Sequence, residues 1–172
     1  MNEAYIKTFD DIGKKVLNRL LQILDTANYF CDVVTVVFDR YDQENSIKRM
    51  ERERRGAGET TPSHQIFGAR IVPNYKLFLK CSANKAALAE FVSKYLASQA
   101  PAHLPEGKSI VIAGGFADGK RVMHLTYFGG AALENMFSTQ EEADTRMVLH
   151  AISLSKDHYR VIVQCDSESD ED

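Results

Sequence analysis

Carboxylates dominate the residues able to do chemistry. Asp39 closes the run Asp32-Val-Val-Thr-Val-Val-Phe-Asp39, Glu142 and Asp144 stand two apart in Ser138-Thr-Gln-Glu-Glu-Ala-Asp144, and Asp166 follows the apolar run Tyr159–Val163. Oxygen-donor sets of this kind suit hard cations such as magnesium. Two such ions about 4 Å apart activate water and stabilise the leaving oxygen in phosphodiester cleavage, so no nucleophilic side chain is required. The same acids have a purely structural alternative. Thr139-x-x-Glu142 and Ser138-x-x-Glu141 both fit the capping-box pattern, acids in a first helical turn meet its dipole favourably, and an aspartate at a strand end commonly serves a turn.

A second group is basic. Lys48, Arg49, Arg52, Arg54 and Arg55 follow Asp39 closely, and arginine's planar donors suit phosphate contacts along a nucleic-acid backbone. Glu44, Glu51 and Glu53 sit among them, so an ion-paired solvated helix face is the competing reading. No aromatic residue interleaves with these arginines, which favours electrostatic contact over base stacking there.

Other chemistries find little support. Gly114-Gly-Phe-Ala-Asp-Gly-Lys120 is followed by Arg121 and so lacks the GxxxxGK[ST] phosphate loop. His64, His103, His124, His150 and His158 are dispersed without zinc-ligand spacing, and His150 reads as a packed helix residue. Cys31, Cys81 and Cys165 are odd in number and show no CxxC pattern, which argues against a disulfide framework. Cysteine use of this kind fits a reducing compartment, and an intracellular setting, cytoplasmic or nuclear, is expected.

The elements that must position the acids follow from periodicity. Ile12, Val16, Leu17, Leu20, Leu21, Ile23 and Leu24 make an amphipathic stripe, which predicts a helix over 9–26. The β-branched run 32–39 predicts a buried strand ending at Asp39. A charged helix is expected over 44–55, with a mobile loop near 56–65 where glycine, threonine and proline gather. Two helices are expected over 75–79 and 85–96, divided near Ser82. Ser109–Ala113 and Arg121–Phe128 read as strands, each stopped by a glycine pair, with Asp118-Gly119 suited to a hairpin between them. A helix from Ser138-Thr139 to about Leu154 and a last strand over 159–163 complete an α/β pattern. In an open parallel sheet, ligands gather beyond the carboxyl ends of the strands, where Asp39 and Asp166 both fall.

The chain has 172 residues, 44% of them hydrophobic and 26% charged, with a formal charge of -3. One substantial core is within reach, and a single domain over 1–166 with an acidic tail over 167–172 is the expected organisation. The start lacks the basic-then-apolar order of a secretory signal, and no apolar run approaches the roughly 20 residues of a membrane span. No membrane association is expected, and the near-neutral charge confines any nucleic-acid contact to local patches.

VVFDRYDQENSIKRMERERRG at 36–56, AGGF at 113–116 and STQEEADTRMVLHA at 138–151 together resemble a group of PIN-like proteins of metazoans, and more remotely the flap endonucleases. The resemblance covers most of 32–166. It implies an α/β fold with a mainly parallel central sheet flanked by helices. It also implies magnesium or manganese held by Asp39, Glu142, Asp144 and, less directly, Asp166, with DNA or RNA as substrate and the 48–55 segment as a substrate-facing arch.

Two departures shape the functional expectation. The family fold opens with a strand bearing another metal-binding aspartate, whereas this sequence begins almost at once with a helix pattern. After Asp166, where the family has alternating aspartates, Ser167 and Ser169 stand instead. Losing carboxylates weakens a two-metal centre, so the expectation is an incomplete or degenerate PIN-like domain with weakened or lost cleavage. The alternative is a noncatalytic interaction protein whose tail is phosphorylated, since Ser167 and Ser169 each precede an acid by three residues.

Overall fold

A computed structural model describes residues 6–25, 31–39, 62–139, 143–157 and 161–163. The first helix, α1 (Phe9–Asp25), buries Phe9, Gly13, Leu17, Leu20 and Leu24, the stripe that its 3.6-residue period requires. Thr8 and Asp11 form a reciprocal capping pair: Thr8 N donates to Asp11 Oδ2 at 2.9 Å and Asp11 N donates to Thr8 Oγ1 at 3.3 Å. These bonds, with one from Lys7 N, hold the Asp11 carboxyl below its ordinary range. Gly13 is required by close packing, because a Cβ there would lie 2.6 Å from Tyr95 Cγ.

The strand β1 (Val33–Val37) leads to the helices α2 (Tyr75–Lys80) and α3 (Ser82–Gln99), a 3-10 turn (Ala100–Ala102), and the strands β2 (Ser109–Ala113), β3 (Val122–Thr126) and β4 (Gly129–Ala132). A second 3-10 turn (Glu134–Met136) precedes the helix α4 (Ala143–Leu154). The strands form one sheet in the order β1-β2-β3-β4. β2 is buried along its whole length, as a continuous apolar run predicts. Ile110 and Ile112 face a large cluster with Leu17, Leu20, Leu24, Val92 and Leu96 of α1 and α3. Val111 and Ala113 alternate onto the other face, where they meet Val122 and the partly buried Leu133 and Met136. Lys108 Nζ ties the strand starts together, bonding Asp32 Oδ1 at 2.9 Å and the Cys31 carbonyl at 2.8 Å.

The expected α/β class is present, but the mainly parallel sheet is corrected. β1 and β2 are parallel, whereas β2 with β3 and β3 with β4 are antiparallel. Connection length explains this. Parallel neighbours need a crossover of a dozen or more residues, and only the β1-to-β2 connection, which carries α2 and α3, is long enough. β2 and β3 join through the turn containing Gly114 and Gly115, both at positive φ (82° and 72°), and β3 joins β4 through Tyr127-Phe128.

The glycine pair at 129–130 does not stop the sheet either. It begins the edge strand β4, three of whose four residues are exposed; such small side chains give no alternating apolar pattern to read. Residues 161–163 lie in no strand, and Ile162 and Val163 are exposed. The helix expected over 44–55 lies outside the described residues. Of the loop expected near 56–65, residues 62–65 are described, and Asn84 ties them down: its Nδ2 donates to the Pro62 carbonyl at 3.2 Å and its Oδ1 accepts from His64 N at 2.8 Å.

Candidate functional site at the carboxyl edge of the sheet

β1 and β2 run parallel, so both end at one edge of the sheet. Asp39, two residues past β1, is exposed, and its Oδ1 accepts a hydrogen bond from Ala143 N at 2.8 Å. Ala143 is the first described residue of α4, so the carboxylate meets a helix N-terminus, where free amide donors and the dipole both favour an anion. This bond brings the end of the Val-Val-Phe-Asp segment to the start of the helix that carries Asp144. Asp144 is also exposed.

Beneath this contact lies Arg146, a fully buried side chain. Its Nη1 donates to the Phe38 carbonyl at 2.9 Å, so the residue just before Asp39 is held to α4 by a charged donor. Gly114 makes room for it: a Cβ at Gly114 would collide with the guanidinium, and the φ of 82° already disfavours any side chain. Gly115 is equally constrained. A Cβ there would collide with Ser93 Oγ and approach the Ala89 carbonyl and Phe38 Cδ2 at 3.0 Å each. Ser93 is fully buried and its Oγ donates to the Gly114 carbonyl at 3.3 Å. Phe38 N continues the β1 ladder by donating to the Ala113 carbonyl at 2.9 Å. Backbone and buried polar groups therefore join the ends of β1 and β2 to α3 and α4, beside the apolar packing of Phe38 and Phe116.

His150, one helical turn after Arg146, is buried as well. Burial, and secondarily the positive charge of Arg146, lower its pKa below the ordinary 6.5, which keeps the imidazole neutral. It is a packed residue, as its place on the helix suggested. α4 is thus inverted: Arg146 and His150 face inward while Val148, Leu149 and Ile152 are exposed.

Of the predicted metal ligands, Asp39 and Asp144 are brought to one locality, and Glu142 and Asp166 lie outside the described residues. So do Lys48, Arg49, Arg52, Arg54 and Arg55. Among the described residues, no group of three or more histidine, cysteine or acidic side chains is gathered closely enough to hold a metal ion. Asp144 follows Ala143 directly, so its backbone adjoins the Asp39 carboxylate. Cys31 and Cys81 are free thiols, and burial raises the pKa of Cys31, which makes it a poor nucleophile. No helix among the described residues is long and apolar enough to cross a membrane.

Sequence reasoning passed over Arg146 and Ser93 and read Gly114-Gly115 only as the stop of a strand. The legible trace of their role was Gly114-Gly115 directly after an apolar strand. Nothing marked Ser93, because a small hydroxyl on an apolar helix looks neutral.

No family model, curated protein or solved structure matches the chain.

Proposed function

We propose that this domain is a PIN-like, nuclease-related fold whose site at the carboxyl edge of the sheet binds nucleic-acid phosphate through magnesium or manganese, with cleavage weakened or lost. One observation carries the reading: the hydrogen bond from Ala143 N to Asp39, which joins two acid-bearing segments 104 residues apart in sequence. In this account Asp39 and Asp144 are the principal metal ligands, with Glu142 and Asp166 assigned to the same centre on the resemblance alone. The metal would supply charge neutralisation at the phosphate and an activated water. Asp39 would orient it, and α4's amides would keep the carboxylate in place. The basic residues 48–55 would track the backbone of DNA or RNA.

A second reading draws on the same bond. A carboxylate that caps a helix needs no metal, and this favours a noncatalytic interaction protein acting through its acidic tail.

Purified protein, incubated with structured and single-stranded DNA and RNA with or without manganese, decides between them. Slow, metal-dependent cleavage that Asp39→Asn abolishes supports the first reading. Cleavage that persists without metal or in the variant points to a contaminating nuclease, and complete inertness with no metal binding supports the second.

A further inference from the structure

The Asp39 edge has a neighbour with its own chemistry. Residues 60–89 contain Arg70, Lys76, Lys80 and Lys85 and no acidic residue, the flanking acids being Glu59 and Glu90. Within this span, Phe67 is 56% exposed and Tyr75 51% exposed, and Ile71 and Leu77 are exposed too. Lys76, next to Tyr75 in sequence, and Lys85, in the first turn of α3, are exposed as well. Large aromatic side chains held in water next to cations are costly for an isolated domain, and they match the two components of a single-strand binding surface: flat apolar faces for bases and positive charge for phosphates.

The segment is built rather than loose. Phe9 N donates to the Arg70 carbonyl at 3.1 Å, Asp10 N to the Gly68 carbonyl at 3.0 Å and Val72 N to the Lys7 carbonyl at 2.9 Å, which fastens 68–72 to the start of α1. Arg70 turns inward, its Nη2 lying 3.1 Å from His64 Nδ1 and its Nη1 bonded to the Gln65 carbonyl. Asn74 caps α2 by accepting from Leu77 N at 3.2 Å. Buried Phe78 packs against Phe9 with the rings tilted at 52° and centroids 5.7 Å apart, and fully buried Asn84 Nδ2 also bonds the Phe78 carbonyl at 3.1 Å. The acids that α1 brings alongside are Asp10 and Asp11, and Asp11 is committed to the Lys7 and Thr8 amides.

Its position follows from α3. That helix meets Gly115 and Gly114 through Ala89 and Ser93 and packs into the core through Val92 and Leu96. Its C-terminal end leads into the start of β2 at the opposite edge, so its first turn, near Ser82, and α2 lie toward the same end of the sheet as Asp39.

We infer that Phe67 and Tyr75, with Lys76 and Lys85, form a docking surface for single-stranded nucleic acid that leads to the Asp39 edge. The inference rests on the nucleic-acid reading above for the class of ligand, but binding here needs neither metal nor cleavage.

The test is fluorescence anisotropy of labelled oligo-dT and oligo-U, with a duplex of equal length, titrated with the full chain in EDTA. The single strands bind more tightly than the duplex. Phe67→Ala and Tyr75→Ala each weaken single-strand binding at least about fivefold, as stacking energies per base imply. Lys76→Gln with Lys85→Gln lowers the slope of log affinity against log salt by about 1.4, the value for two phosphate contacts on a single strand. All four positions are exposed, and unchanged thermal unfolding of the variants excludes misfolding.

Absent wild-type binding, equal affinity for duplex, or binding insensitive to the aromatic substitutions overturns the inference. So does concentration-dependent dimerisation that those substitutions abolish, which would assign the surface to a second copy. If manganese neither binds nor supports cleavage while aromatic-dependent binding persists, the nuclease reading falls and the docking surface stands.

Discussion

Asp39 Oδ1 accepts the backbone N–H of Ala143 at 2.8 Å, so one carboxylate both ends the β1 segment and caps α4. The two roles separate by substitution. Asparagine retains an oxygen acceptor and caps helices about as well as aspartate, whereas alanine does neither. Asp39→Ala should lower stability by about 0.5–2 kcal/mol, and Asp39→Asn by much less. Urea unfolding of both variants checks this, and equal losses would show that the carboxylate's charge, not its hydrogen bond, holds α4.

Gly114 carries Arg146 against its backbone at a φ of 82°. Gly114→Ala should cost about 2–4 kcal/mol, combining left-handed strain with displacement of a packed side chain. Thermal or chemical denaturation gives the number. A loss below about 0.5 kcal/mol, the scale of an ordinary surface change, would mean that the close approach is not maintained in solution.

Arg146 donates to the Phe38 carbonyl from a fully buried position. Arg146→Ala leaves that carbonyl without its charged donor and opens a cavity, a loss of about 2–5 kcal/mol. Lysine, a compact point charge lacking the planar fork, should restore little. Hydrogen exchange should quicken at Phe38 and Ala143 together in both variants. Full recovery by Arg146→Lys would reduce the role to simple charge.

His150 gives stability a pH dependence of defined sign. Its folded pKa lies below the ordinary 6.5 because burial, and then the Arg146 charge, oppose protonation. Above 6.5 both states are neutral and the residue is silent. As pH falls through 6.5 the unfolded chain takes up a proton that the folded chain resists, so stability declines until the folded pKa is reached. His150→Gln should flatten unfolding free energy against pH just below 6.5. An unchanged slope would assign the acid sensitivity to other groups.

Much of the frame was legible because it rests on local periodicity. The stripe of α1, the β-branched β1 and the apolar β2 each declare their type, and two glycines after Ala113 mark the turn. Pairing direction was less legible, since it depends on connection length and hairpin closure rather than on the residues within a strand. β4 was hidden by its own composition, because Gly-Gly-Ala-Ala at an uncovered edge has no apolar side to alternate. At the site, Asp39 could be placed at a strand end from sequence, but its partner, an amide 104 residues on, could not. The burial of Arg146 could not be read, because its environment is set by Gly114, which lies far from it in the chain.

The central claim, that the Asp39 edge is a metal site, is tested most directly by manganese binding. Calorimetric titration of the full chain with manganese at neutral pH should show saturable binding that Asp39→Asn and Asp144→Asn each weaken at least about tenfold, with the fold intact, because each removes a charged oxygen ligand from a weakly held cation. Binding that is absent from the wild type, or equal in both variants, would contradict the account and leave Asp39 as a helix cap alone.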